Sequence, residues 1–158
     1  MIEETTAVST MIRHFNVAAE RVFDAFLEPS VMKKWFLTTE FTNKAVKNVP
    51  HVGGTWETVD HRDGTDYRAI GTYLEINHPN RLAFTLQMPQ LSESIDKIIV
   101  EIKTLEQGCE MAFTQNIPVT YDAGWTSQNV ERAVNEAKNG SERVWNTLLG
   151  RLKQIVEG

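Results

Sequence analysis

Residues 130–156, VERAVNEAKNGSERVWNTLLGRLKQIV, carry the strongest periodic pattern in the chain. Apolar residues recur there every three or four positions, which places them on one face of an α-helix. That face consists of Val130, Ala133, Val134, Ala137, Val144, Trp145, Leu148, Leu149, Leu152, Ile155 and Val156. We therefore expect one long amphipathic helix over residues 128–156. Asn139-Gly140-Ser141 are poor helix formers within it and indicate a kink.

The chain before this helix has a different period, because apolar and polar residues alternate. Alternation of this kind is typical of strands that bury one face and leave the other in water. Asp63-Gly64 is a tight-turn dipeptide, and it predicts a hairpin whose second strand begins near Tyr67. Further alternation is found over residues 82–87, 98–103 and 109–114. These segments predict an antiparallel sheet covered on one side by the C-terminal helix.

The N-terminal part adds one strand and two short helices. Residues 5–17 mix β-branched and aromatic residues as a first strand does. Helical spacing follows over residues 18–27, and Pro29 suits the first turn of a second helix that carries Trp35 and Phe36. The expected fold is therefore α+β, with a curved antiparallel sheet of about six strands wrapped around the last helix.

Length and composition limit the classes of function. The chain has 158 residues, which fits a single domain over residues 1–158. A net charge of -5 argues against binding nucleic acid, which requires a basic excess. The acidic start lacks the features of a signal peptide, and no apolar run is long enough for a membrane span. We expect a cytoplasmic protein.

Several segments together resemble a known superfamily. They are residues 13–26, Trp35-Phe36, Gly53-Gly54-Thr55-Trp56, residues 71–82 and residues 145–152. In this order the chain resembles the START-related helix-grip superfamily, which includes Bet v 1-like and polyketide cyclase/dehydrase-like proteins. It resembles most closely the branch named for the activator of heat-shock protein 90 ATPase. Ala18 replaces a usual proline, and Val144 replaces a glycine that usually precedes the tryptophan of the last helix.

The resemblance implies an apolar cavity between the sheet and the long helix, and therefore a protein that holds an apolar or amphipathic small molecule. The residues expected to line this cavity are Trp35, Trp56, Tyr73, Phe84, Met111, Phe113 and Trp145. The same side chains would equally serve as ordinary core. Val144 is expected to narrow the space, because it is larger than the usual glycine.

Two other functions remain open at this stage. An enzyme of the cyclase or dehydratase kind would use polar residues inside the cavity, for which His14, Arg13, Tyr73 and Glu75 are candidates. A chaperone-associated module would instead present its surface to another protein, as the name of the branch suggests. We favour the binding protein over the enzyme, because few members of the superfamily share a catalytic constellation and the resemblance therefore implies no mechanism.

The residue spacings predict neither a metal site nor a cofactor. No two of the four histidines have the spacing of a helical metal site. Residues 60–66 cluster carboxylates around Gly64, but they lack the spacing and the closing glutamate of a calcium loop. Cys109 alternates with apolar neighbours, so we expect a buried and unreactive thiol. Gly53-Gly54 lacks the strand-to-helix context of a phosphate loop.

Overall fold

A computed structural model describes residues 1–158 as seven strands and three helices. In chain order these are β1 Ile2–Phe15, α1 Ala19–Asp24, α2 Pro29–Trp35, β2 Asn43–Asn48, β3 Thr55–Arg62, β4 Thr65–Asn77, β5 Arg81–Leu86, β6 Asp96–Thr104, β7 Cys109–Asp122 and α3 Ser127–Glu157. The α+β prediction is confirmed, with two short helices after the first strand and a long helix at the C-terminus.

The seven strands form one antiparallel sheet in the order β1-β7-β6-β5-β4-β3-β2. The first and last strands pair along their whole lengths, from Ile2 opposite Asp122 to Phe15 opposite Cys109. The alternating pattern predicted about six strands and did not include β2, which lies at the edge of the sheet. Its sequence, NKAVKN, has two adjacent apolar residues and no alternation, as a charged edge strand does.

The two short helices are connected by a side-chain hydrogen bond. Helix α1 ends at Asp24, three residues before the expected boundary, and α2 begins with Pro29 in its first turn. The indole Nε1 of Trp35 donates a hydrogen bond to the backbone oxygen of Ala25, 3.0 Å away, and so ties α2 to the end of α1. Trp35 and Phe36 thereby enter the core.

Helix α3 is continuous from Ser127 to Glu157 and passes through Asn139-Gly140-Ser141 without a break. Its start is capped by the Thr126 hydroxyl, which accepts a hydrogen bond from the backbone N–H of Asn129 at 3.1 Å. Fully buried residues occur only from Trp145 onward. The C-terminal half of α3 therefore packs tightly on the sheet, whereas the N-terminal half is only partly covered.

Candidate functional site

All seven side chains expected to line the cavity are buried. None of Trp35, Trp56, Tyr73, Phe84, Met111, Phe113 and Trp145 is more than 2% exposed. They belong to one continuous hydrophobic cluster between the sheet and the three helices. The structure therefore brings them together, as the alternation of β5 and β7 and the stripe of α3 required.

Phe36 occupies the space at the centre of this group. Its ring centroid lies 5.1 Å from that of Trp56, 5.8 Å from that of Phe84 and 5.9 Å from that of Trp145. Around Phe36, Trp56, Tyr73 and Phe84 no space remains for a water molecule. In this structure these aromatic residues pack as core, and their contact with a ligand stays a prediction.

An open space lies next to the aromatic core, under the N-terminal half of α3. We call it the α3 cleft. It has a volume of about 420 Å³ and lies between α3, the sheet at the start of β6, and the connection from β5 to β6. Its apolar lining includes Leu86, Met88, Ile117, Ala137, Val144 and Trp145. Trp145 closes the inner end, so the cleft adjoins the residues that the sequence identified.

Small side chains on α3 create this space. Ala137, Gly140 and Ser141 face the sheet at positions where a fully packed helix would carry large residues. A Cβ atom added at Gly140 would have no neighbour within 4 Å. Val144, which was expected to narrow the cavity, is exposed at the mouth of the cleft and leaves its interior open.

A chain of polar groups crosses the cleft. The amide nitrogen Nε2 of Gln115 donates to Oδ2 of Asp96 at 2.7 Å, and the Ser94 hydroxyl donates to Oδ1 at 3.3 Å. On the other side, the hydroxyl of Ser141 donates to Oε1 of Gln115. Gln115 is only 5% exposed, so its amide is held in one orientation between the sheet and α3.

A second polar pair extends this chain along the same row of the sheet. Ser9 lies directly opposite Gln115 in the pairing of β1 with β7. Its buried hydroxyl donates to Oε2 of Glu142 at 2.8 Å. Two successive residues of α3, Ser141 and Glu142, are thus tied to the inner face of the sheet by hydrogen bonds.

Asp96, Gln115 and Ser141 were not among the predicted site residues, although the sequence contains a signal for Asp96 and Gln115. The alternation of Cys109, Met111 and Phe113 continues to Gln115, which places an amide on the apolar face. The alternation of β6 extended back from Ile98 likewise places Asp96 on that face. A polar residue at an inward position requires a partner, and such a residue is a candidate for function.

Burial determines the electrostatics of the cleft. Removal of the Asp96 carboxyl from water raises its pKa above the usual value, and the hydrogen bonds from Gln115 and Ser94 only partly oppose this. No lysine, arginine or histidine lines the cleft. Asp96 is therefore a partly buried carboxylate without a cationic partner.

Asp96→Asn is expected to stabilise the protein at neutral pH and to have little effect in acid. Asparagine has nearly the shape of protonated aspartic acid, so the two proteins should be alike below the ordinary pKa of 3.8. As pH rises from that value through the raised pKa of the folded state, only the wild type incurs the cost of a buried charge. Thermal unfolding of both proteins across this range measures the difference, and a difference that shrinks as pH rises would contradict the assignment.

The polar residues considered for catalysis lie outside the cleft. His14 is exposed on the outer face, 3.7 Å from Glu110. Arg13 donates to the side-chain oxygen of Asn146 at 2.9 Å, and Glu75 pairs with Arg81 at 3.0 Å. The Tyr73 hydroxyl is buried and accepts a hydrogen bond from Asn48 at 3.1 Å, and burial raises its pKa.

The remaining features noted in the sequence can be located in the structure. Cys109 is fully buried, and burial raises the pKa of its thiol. No group of three His, Cys, Asp or Glu side chains is arranged to hold a metal ion. Asp63-Gly64 forms the turn between β3 and β4. None of the helices combines the length and the apolarity needed to cross a membrane.

A larger depression of about 570 Å³ lies on the outer face of β2 to β5, but its charges already satisfy one another. Glu57 pairs with Arg68 at 2.7 Å and approaches Lys47 at 3.8 Å. Four of its 13 lining residues are hydrophobic. The α3 cleft is therefore the better candidate, because it combines an apolar lining with a carboxylate that has no cation.

Solved structures with the same fold cover nearly the whole chain. A protein of unknown function, SA2116 from Staphylococcus aureus, superimposes with a TM-score of 0.89 at 22% identity, over 98% of this chain and 96% of that one. The Mll3558 protein from Rhizobium loti gives a TM-score of 0.74 at 19% identity, with 96% and 98% covered. Ara h 8.0201 gives 0.67 at 11%, also with 96% and 98% covered.

Sequence comparison identifies the family within this fold. None of the curated proteins compared with the chain matches it. A family model, described as activator of Hsp90 ATPase homolog 1-like protein, matches residues 16–157, from the end of β1 to the last turn of α3. Together with the helix-grip architecture, this match shows that the chain belongs to the activator of Hsp90 ATPase homolog 1-like family of the START-related superfamily.

Proposed function

We propose that the protein binds an amphipathic small molecule in the α3 cleft. The observation that carries the proposal is the combination of an apolar lining with the polar chain of Asp96, Gln115 and Ser141. Binding sites for small molecules are typically concave and mostly apolar, with a few fixed polar groups that orient the ligand. A volume of about 420 Å³ falls within the usual range for such sites.

The polar chain supports a binding site rather than a packing defect. A core without function would fill the space beside Trp145 with apolar side chains, because a void forfeits dispersion contacts. Here the helix has Gly140 and Ser141, and the sheet has a buried amide and a half-buried carboxylate. These groups would give the polar end of an amphipathic ligand fixed hydrogen-bonding partners.

The aromatic residues proposed from the sequence would act mainly through Trp145. This side chain both lines the cleft and packs against Phe113, with ring centroids 4.5 Å apart. A ligand in the cleft would therefore change the surroundings of the indole. The other predicted residues would form the packed core behind Trp145: Trp35, Trp56, Tyr73, Phe84, Met111 and Phe113.

The proposal is tested by closing the cleft with one substitution. Gly140→Leu adds a side chain where the new Cβ meets no neighbour outside its own helical turn within 4 Å, so the leucine fills the cleft without a clash at its base. N-phenylnaphthylamine, a neutral dye that fluoresces in apolar surroundings, is the probe. We expect the wild type to bind it and Gly140→Leu to raise Kd about tenfold or more, which corresponds to about 1.4 kcal/mol.

Gly150→Leu is the matched control. Gly150 is an exposed glycine of the same helix, and a Cβ there also meets no neighbour within 4 Å. Both substitutions improve helix propensity by a similar amount. Equal dye binding by the wild type and both variants would show that the dye binds elsewhere, and the proposed site would then be wrong. Native mass spectrometry of freshly purified protein would show whether a small molecule is retained.

A further inference from the structure

The charges of the α3 cleft discriminate between classes of amphipathic ligand. The only charged side chain in its lining is the carboxylate of Asp96. This carboxylate accepts hydrogen bonds from Gln115 and Ser94, one to each oxygen. Two carboxylate oxygens offer about four acceptor positions, so room remains for further donors.

We propose, on the basis of the binding function above, that the α3 cleft selects amphipathic amines, whose protonated nitrogen pairs with Asp96 while the apolar body lies against Trp145. An ammonium group donates up to three hydrogen bonds and would supply the positively charged partner that Asp96 lacks. A partly buried carboxylate gains more from an opposite charge than an exposed one does, because water screens the pair less.

The same geometry disfavours anionic ligands such as fatty acids. Their carboxylate would lie beside Asp96 in a cleft without lysine, arginine or histidine. Two neighbouring carboxylates repel each other when both are ionised, so one of them would have to bind a proton. Neutral alcohols fall between the two classes, because they can donate one hydrogen bond to Asp96 but bring no charge.

The chemistry of Asp96 itself supports this order. Burial raises the pKa of its carboxyl, and the lining of the cleft contains no lysine, arginine or histidine to oppose this. The Asp96 carboxylate can only accept hydrogen bonds, so it fixes the amide nitrogen of Gln115 toward itself, and the Ser141 hydroxyl donates to the amide oxygen on the other side. The polar chain therefore ends in the Asp96 carboxylate, which lines the cleft.

Octylamine, octanol and octanoate test the inference, since they share one apolar chain and differ in the charge of the polar end. Binding is followed by tryptophan emission and by calorimetry at neutral pH, below micelle-forming concentrations. We expect octylamine to bind at least about tenfold more tightly than octanoate, with octanol between them. Asp96→Asn should remove the preference for the amine over the alcohol.

Glu106→Gln is the matched control for net charge. Glu106 is exposed in the turn between β6 and β7, at the end of β6 opposite to Asp96, and its neutralisation removes the same single charge. We expect this variant to keep the wild-type preference, which would show that the preference comes from the cleft and not from the net charge of -5.

The outcomes separate the two proposals. Octanoate binding as tightly as octylamine, or an amine preference that persists in Asp96→Asn, would overturn the selection of amines and leave the binding function standing. Failure of all three compounds to bind the wild type, or equal binding to Gly140→Leu, would overturn the cleft as a site and the inference with it.

Discussion

Phe36→Ala is expected to lower the free energy of unfolding by about 3–5 kcal/mol. The ring is 2% exposed and stands at the centre of the aromatic core. Its neighbours, with ring centroids 5.1–6.2 Å away, are Phe26, Trp35, Trp56, Phe84 and Trp145. Removal of the ring leaves these five side chains without contacts on one side, and the surroundings of such a cavity relax only partly. Urea denaturation measures the loss.

Phe41→Ala is the matched control for this substitution. Phe41 lies in the connection between α2 and β2 and is 96% exposed, so its removal breaks no packing. We expect its free energy of unfolding to stay within about 0.5 kcal/mol of the wild type. A loss in Phe36→Ala as small as that in Phe41→Ala would mean that Phe36 does not fill the core as described.

Phe36→Ala should also open an apolar cavity within the aromatic core. Without the Phe36 ring, Trp56, Phe84 and Trp145 would enclose an apolar space, and apolar cavities of this kind bind small aromatic molecules. A ligand that binds only the folded state raises the free energy of unfolding by RT ln(1 + [L]/Kd), where [L] is the free ligand concentration. We therefore expect benzene or indole to raise the stability of Phe36→Ala by more than that of the wild type.

Much of the fold could be predicted because its elements have clear periods. The apolar stripe of α3 and the alternation of β5, β6 and β7 each follow from one buried face. The sequence pattern therefore predicts both the type of each element and the side that it buries. Strand β2 was not predicted, because it is an edge strand whose stability comes from pairing with β3 and not from a buried face of its own. The boundary of α1 was misplaced because Phe26 is buried just beyond its last turn.

The candidate site was harder to predict because packing, and not residue type, decides where space remains. Phe36 and Trp56 have the same apolar character in sequence, yet Phe36 packs at the centre of the aromatic residues that the resemblance implied as a cavity lining. The actual space comes from Gly140 and Ser141, which the sequence marked only as poor helix formers. Gln115 and Asp96 could have been found by extending two alternating patterns by one step each.

Gly71→Ala is expected to cost about 2–3 kcal/mol, because this glycine allows three strands to meet. Gly71 lies on β4 directly opposite Trp56 of β3. A Cβ atom at this position would overlap the backbone oxygen of Thr85 on β5 and the indole nitrogen of Trp56. These two atoms form a hydrogen bond of 3.2 Å, which fastens Trp56 in the core. The methyl group would therefore push β4 from β5 or displace the indole.

Gly140→Ala provides the contrast for Gly71→Ala, since the same methyl group is added where it meets nothing. There the substitution should raise stability by up to about 1 kcal/mol, through helix propensity alone. The two variants are compared by thermal unfolding, with tryptophan emission as a report on Trp56. The expected result is a change of opposite sign. If Gly71→Ala were as stable as the wild type with unchanged emission, β4 and β5 could separate without cost, and the packing that supports the floor of the α3 cleft would be looser than the geometry requires.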